Sequence, residues 1–111
     1  IEDDSMITML IEDTLAYIGC EVVARASRFE AAVAKAKSLA FEVAILDVNL
    51  RGRETFPIAE ALAERGIAFI FATGYSAASL PQPAQTAPIL QKPFHQGELE
   101  RALRAALAAA A

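Results

Sequence analysis

The sequence predicts an α/β fold, a doubly wound parallel sheet with helices on both faces. Short apolar runs alternate with amphipathic helical stretches along the chain, the order that produces such a sheet. Two of the runs, 43–46 and 67–72, are apolar without alternation, as strands buried on both faces are. The runs also stop at polar residues: Asp47, Thr73 and, after a third run, Lys92. That places chemistry at the carboxyl edge of the sheet, where open α/β folds bind their ligands.

Taken in order, residues 5–19 form the first helix, with Ile7, Leu10, Ile11, Leu15 and Ile18 on one stripe. Asp4 or Ser5 caps its start and Gly19 ends it. Residues 21–26, around Val22-Val23, form a short strand. Ser27 caps a second helix over 28–39 with an alanine-rich inner face. The strand 43–46 runs straight into Asp47, and Arg51-Gly52-Arg53 is a polar loop. A third helix covers 56–65, with Pro57 tolerated in its first turn and Gly66 at its end. The strand 67–72 follows and closes at Thr73-Gly74. Residues 76–80 make at most one short helix, since Pro81, Pro83 and Pro88 oppose a longer one. A strand over 89–91 ends at Lys92-Pro93. The last helix starts near Gly97, carries Leu99, Leu103 and Leu107 on its stripe, and frays over 108–111. Only the stub Ile1-Glu2 precedes the acids Asp3-Asp4 at the start of the first helix, so the pattern opens at a strand's end and a first strand is expected to be truncated. A single domain over 1–111 is expected.

Composition narrows the function. The 111 residues are 55% hydrophobic and 22% charged, enough apolar material for one core and too much for a disordered chain. No apolar run is long enough to span a membrane, and the acidic start lacks the basic segment of a signal peptide. A lone cysteine, Cys20, admits no internal disulfide, which fits a reducing, cytoplasmic setting. The net charge is −4, and three of the acids are the consecutive Glu2-Asp3-Asp4. The acidity is therefore local and points to a cation site. Nucleic acid is disfavoured, because there is no basic cluster to meet it.

If the strands are parallel, Glu2-Asp3-Asp4, Asp47, Thr73 and Lys92 face one edge. Converging carboxylates repel and resist ionising. A Mg²⁺ ion relieves this, since it favours a few carboxylates, retained waters and phosphate oxygens. A lysine and a hydroxyl beside them suit a phosphoryl group. Each residue also has a plainer reading: acids at a helix start, a loop-bonded hydroxyl, a surface lysine. His95 is expected as a surface or capping residue and Cys20 as buried filler. No glycine-rich phosphate-cradling loop is present.

With Ile1-Glu2-Asp3-Asp4, Val43-Ala44-Ile45-Leu46-Asp47-Val48-Asn49-Leu50, Ala72-Thr73-Gly74 and Gln91-Lys92-Pro93-Phe94 in that order, the chain resembles the receiver domains of bacterial two-component response regulators over essentially its whole length. The resemblance implies a flavodoxin- or CheY-like five-stranded parallel sheet in the order 2-1-3-4-5, its first strand truncated here. It implies that Asp47 accepts a phosphoryl group from a histidine kinase or a histidine phosphotransfer protein. Glu2 and Asp3 are the acid pair for Mg²⁺, with Asp3 the direct ligand, joined by Asp47 and the backbone carbonyl of Asn49. Thr73 bonds the phosphoryl group once it arrives. Lys92 pairs with Asp47 or its phosphate, with a cis bond to Pro93. Such a domain is a switch that takes part in its own phosphotransfer and autodephosphorylation, not an enzyme in the usual sense. Its output passes to a downstream protein or along a phosphorelay, without direct nucleic-acid or membrane contact.

Phe69-Ile70-Phe71-Ala72-Thr73-Gly74-Tyr75 further resembles the signature of the FAT GUY regulators, mostly stand-alone receivers, although Ala68 stands where that signature has proline. Many receivers carry Tyr or Phe three residues before the lysine. Ile89 occupies that place, and Tyr75 is the aromatic available instead. The alternative is a Mg²⁺-dependent phosphotransferase or phosphatase of another α/β family. Haloacid-dehalogenase-like and topoisomerase-primase-type sites need an Asp-x-Asp, and Asn49 stands at the second position. A flavodoxin-like cofactor binder needs a phosphate loop where Glu2-Asp3-Asp4 stands. A degenerate receiver kept as a binding module would lack Asp47, the acid pair or Lys92, and none is lost.

Overall fold

The computed structural model describes residues 1–2, 4–74, 88–92 and 94–110. Asp3, Tyr75, Pro93, the short helix expected at 76–80 and most of the proline-rich stretch lie outside them.

Local chemistry sets the helix ends. α1 (Ser5–Tyr17) is capped by Asp4, whose carboxylate accepts from the N–H groups of Met6 and Ile7 at 2.9 and 3.3 Å. This satisfies two of the donors a helix start leaves unpaired. At the other end Gly19 N–H donates to Ala16 O and Cys20 N–H to Leu15 O, the paired bonds of a left-handed helix stop. α2 (Phe29–Ser38) buries Ala32 and Ala36, the small inner face expected of it.

β1 (Val43–Asp47) is followed by a tight hairpin of β2 (Asn49–Leu50) and β3 (Arg53–Glu54), paired Leu50 to Arg53. The expected plain loop at Arg51-Gly52-Arg53 is thus a hairpin. Arg51 and Gly52 sit at φ +51° and +87°, the left-handed pair whose twist matches that of the flanking strands. Two-residue strands are too short to show alternation, so the sequence pattern missed them. Arg53 fastens the hairpin to α2: its guanidinium bonds Glu30 Oε1 at 2.7 Å and lies 3.7 Å from the Phe29 ring centre.

α3 (Phe56–Glu64) leads into β4 (Ala68–Thr73), and β5 (Ile89–Gln91) precedes α4 (Gln96–Ala110). His95 caps α4 as expected, its N–H donating to Glu98 Oε1 at 3.0 Å. The helix continues through Ala110, past the fraying expected from Ala108.

The main sheet is parallel, in the order β1-β4-β5. Ile1 extends it beyond β1: its nitrogen donates to Ile45 O at 2.7 Å and its carbonyl accepts from Asp47 N–H at 2.9 Å, a parallel-ladder pair. Glu2 N–H in turn donates to Ala26 O at 3.0 Å. The order is therefore residue 26, Ile1–Glu2, β1, β4, β5. This is the 2-1-3-4-5 order of a truncated flavodoxin-like fold, its first strand represented by two residues. Among the described residues the main sheet has three strands where five were expected, and 21–26 is not a strand, its ladder contact being the one bond from Glu2 N–H to Ala26 O. A groove of about 1220 Å³ is lined by Leu15, Val22, Phe41, Val43 and Leu103 among others.

Both sheet faces are covered. Leu46 and Phe71 pack with Ala32, Ala36, Ile58 and Leu62 on one side. Ile70 and Leu90 pack with Ile11, Leu99 and Leu103 on the other. Burial on both sides explains why the strands show no alternation, and their parallel direction puts all the polar strand ends at one edge.

Candidate functional site

At that edge the ends of β1, β4 and β5 converge. Lys92 N–H donates to Thr73 O at 2.7 Å, carrying the ladder one residue past β5. From there the Lys92 ammonium reaches Glu2 Oε2 at 2.6 Å and Asp47 Oδ2 at 3.2 Å. The other oxygens are held by backbone: Glu2 Oε1 accepts from Asp4 N–H, and Asp47 Oδ1 from Asn49 N–H, both at 3.2 Å. The side chains of Lys92, Glu2 and Asp47 are only 18%, 6% and 15% exposed, so water screens them far less than a surface pair.

Electrostatics follow from that shelter. Burial pushes the Glu2 carboxyl above its usual range; Lys92 opposes the shift and Asp47 reinforces it. Burial alone would lower the Lys92 ammonium, but Glu2 and Asp47 together outweigh it and hold it above its ordinary value. Two carboxylates share one cation, which leaves an excess negative charge in a sheltered place.

The residues singled out by sequence are distributed unevenly. Glu2, Asp47 and Lys92 meet. Thr73 ends β4 opposite Gln91 and is 1% exposed. Asn49 contributes its backbone N–H to Asp47, and its side-chain oxygen accepts from Gly52 N–H at 2.8 Å. Asp4 is committed to capping α1. Cys20 is half-buried. Ile89 is partly buried against the Phe71 cluster. Asp3 and Tyr75 lie outside the described residues. Sequence reasoning missed Thr55, whose hydroxyl donates to Asp47 O at 2.6 Å; a threonine just before a helix signals only a cap.

The donor set is entirely oxygen, the chemistry of a hard cation such as Mg²⁺. Among the described residues no three His, Cys, Asp or Glu groups converge, but Glu2 and Asp47 already supply two carboxylates that a single ammonium incompletely balances. The residues therefore fit a hard divalent ion next to a site for an anion that Lys92 can reach.

The chain matches the model of the response regulator receiver domain over residues 1–104. Among solved structures it is similar to SdrG from Sphingomonas melonis Fr1, with 41% identity and a TM-score of 0.85 over 96% of this chain and 91% of that one. It is similar to the BeF3-activated conformation of SdrG from Pseudomonas melonis Fr1, with 42% identity and a TM-score of 0.81 over the same shares, 96% and 91%. The receiver domain of the sensor histidine kinase PA1611 from Pseudomonas aeruginosa PAO1, which has a magnesium ion coordinated in its active-site cleft, shares the fold at 21% identity and a TM-score of 0.77, over 97% and 93%. No curated protein matches the chain. No helix of the described residues is long and apolar enough to cross a membrane. A family match across residues 1–104, on a fold that gathers Glu2, Asp47 and Lys92 at one sheet edge, makes this chain a member of the response regulator receiver domains, which are signalling domains and not classical enzymes.

Proposed function

We propose that residues 1–111 act as a single cytoplasmic switch domain, in which Asp47 takes a phosphoryl group from a phosphohistidine on a histidine kinase or phosphotransfer protein. The observation that carries this reading is the Lys92 ammonium set between Glu2 and Asp47. An Asp47 oxygen attacks phosphorus in line. The new P–O bond forms as the P–N bond breaks, and the departing imidazole nitrogen keeps the electron pair. Lys92 follows the charge from the carboxylate onto the phosphoryl oxygens, and the Thr73 hydroxyl bonds one of them. Glu2, Asp3, Asp47 and the Asn49 carbonyl would hold Mg²⁺, which would supply further neutralisation of negative charge at the site. Water later cleaves the acyl phosphate and restores Asp47. The signal leaves by contact with a downstream protein or by relay of the phosphoryl group, through a shift between pre-existing conformations. Ile89 has no ring to move inward, so Tyr75 is the aromatic assigned to sense the modified site. The stand-alone FAT GUY type remains the subfamily that the 69–75 signature supports.

Three outcomes are expected. Acetyl phosphate with Mg²⁺ adds one acid-labile phosphate to the chain and none to Asp47→Asn; mass spectrometry that finds undiminished labelling in the variant refutes the assignment.

Asp3→Ala removes most Mg²⁺ binding in a calorimetric titration. Asp4→Ala leaves binding intact and costs about 1 kcal/mol of stability through the lost helix cap. Equal losses of binding would shift the acid pair by one residue.

Lys92→Met leaves Glu2 and Asp47 facing one another without a cation, at a cost of about 1.5–3 kcal/mol near neutral pH. Lys92 has a raised pKa, so its contribution is complete below the ordinary 10.5 and is lost as pH rises from there through the raised value. The pairing also needs an ionised Glu2, whose pKa is raised from 4.5. The gap between wild type and variant in urea unfolding therefore narrows as acidification reaches that raised value, whereas a gap independent of pH contradicts the pairing.

A further inference from the structure

Thr55 occupies the N-cap of α3 and is fully buried. A threonine there ordinarily accepts from the N–H of the second or third helical residue. This one makes no such bond. The second helical residue is Pro57, which has no N–H, and the third, Ile58, donates to the Thr55 carbonyl at 3.0 Å. The hydroxyl is turned back instead, donating to Asp47 O at 2.6 Å with Val48 O at 3.3 Å. Thr55 N–H donates to Val48 O at 2.9 Å.

These bonds close the hairpin segment between Asp47 and α3 into a loop tied at its base. Inside it, Gly52 N–H holds the Asn49 side chain and Asn49 N–H holds Asp47 Oδ1. Beyond the bond from its N–H to Ile1 O, Asp47 is gripped at three further points: its carbonyl by Thr55, Oδ1 by Asn49 and Oδ2 by Lys92. Loss of the grip on the carbonyl would free the peptide that sets both the Asp47 side chain and the Asn49 backbone.

We propose that Thr55 is a positioning residue of the acceptor site, its hydroxyl fixing the Asp47–Val48 peptide so that the Asp47 carboxylate and the Asn49 backbone stay set for Mg²⁺ and the incoming phosphoryl group. The inference rests on Asp47 as the acceptor. Thr55→Val keeps the shape and removes the donor. Mg²⁺ affinity, followed by amide NMR shifts, and the rate of labelling by acetyl phosphate then both fall about fivefold, the worth of one hydrogen bond. Thr55→Ser restores both. A folded Thr55→Val with wild-type Mg²⁺ affinity and labelling rate overturns the proposal, as does a Thr55→Ser no better than the valine variant. Undiminished labelling of Asp47→Asn would instead remove the acceptor reading itself. If Thr55→Val does not fold, the wild-type chain decides: the Thr55 hydroxyl proton is protected from exchange and becomes more so when Mg²⁺ and beryllofluoride bind. Protection that ignores both ligands refutes the positioning role.

Discussion

The site depends on one ammonium group placed between two carboxylates. Lys92 meets Glu2 and Asp47 from positions 90 and 45 residues away, and nothing but the parallel sheet brings them together. The ladder bond from Lys92 N–H to Thr73 O aligns β5 with β4. The five-residue register of β1 on β4 sets Asp47 opposite Ala72, one residue before Thr73. Ile1, bonded on both sides of Leu46 through Ile45 O and Asp47 N–H, carries Glu2 to the same edge. An exposed ion pair contributes about 0–1 kcal/mol. Here the partners are largely withdrawn from water and charge is left unbalanced, an arrangement better suited to receiving a cation and an anion than to holding a fold together.

The rest of the fold keeps that edge stiff. Leu46 and Phe71 point to α2 and α3 while Ile70 and Leu90 point to α1 and α4, so each strand is clamped from both faces. The segment after Asp47, which in many folds is a free loop, is a hairpin held to α2 by Arg53 and to β1 by Thr55. Asp47 therefore sits between a buried strand and a braced turn. Phe56, next in sequence to Thr55, packs edge-on against Phe71 at 5.8 Å, linking the start of α3 to the central strand.

Much of this was legible in the sequence because it depends on local signals. Apolar runs without alternation announced strands buried on both faces, and polar residues at their ends marked Asp47, Thr73 and Lys92. Asp4 and Gly19 declared the ends of α1 through capping chemistry. Other features depend on partners the pattern does not show. Val22 and Val23 have strand propensity, but pairing is decided by the neighbour, and the ladder bond found in that segment runs from Glu2 N–H to Ala26 O. The hairpin strands are two residues each, below any periodic signal, and their turn begins with Arg51, not a typical left-handed residue. Thr55 resembles an ordinary cap, and only the absence of an N–H at Pro57 hints that its hydroxyl is available for something else. The pairing of Glu2 with Lys92 spans nearly the whole chain and has no local signature.

The central claim is that Asp47 is where the phosphoryl group resides, and chemical trapping tests it most directly. Borohydride reduces an aspartyl phosphate to homoserine, so the chain phosphorylated by acetyl phosphate and then reduced should carry homoserine at position 47 in peptide mass mapping, with every other acidic residue unchanged. Homoserine at another acid, or a phosphate that survives reduction on a serine, threonine or histidine, contradicts the account.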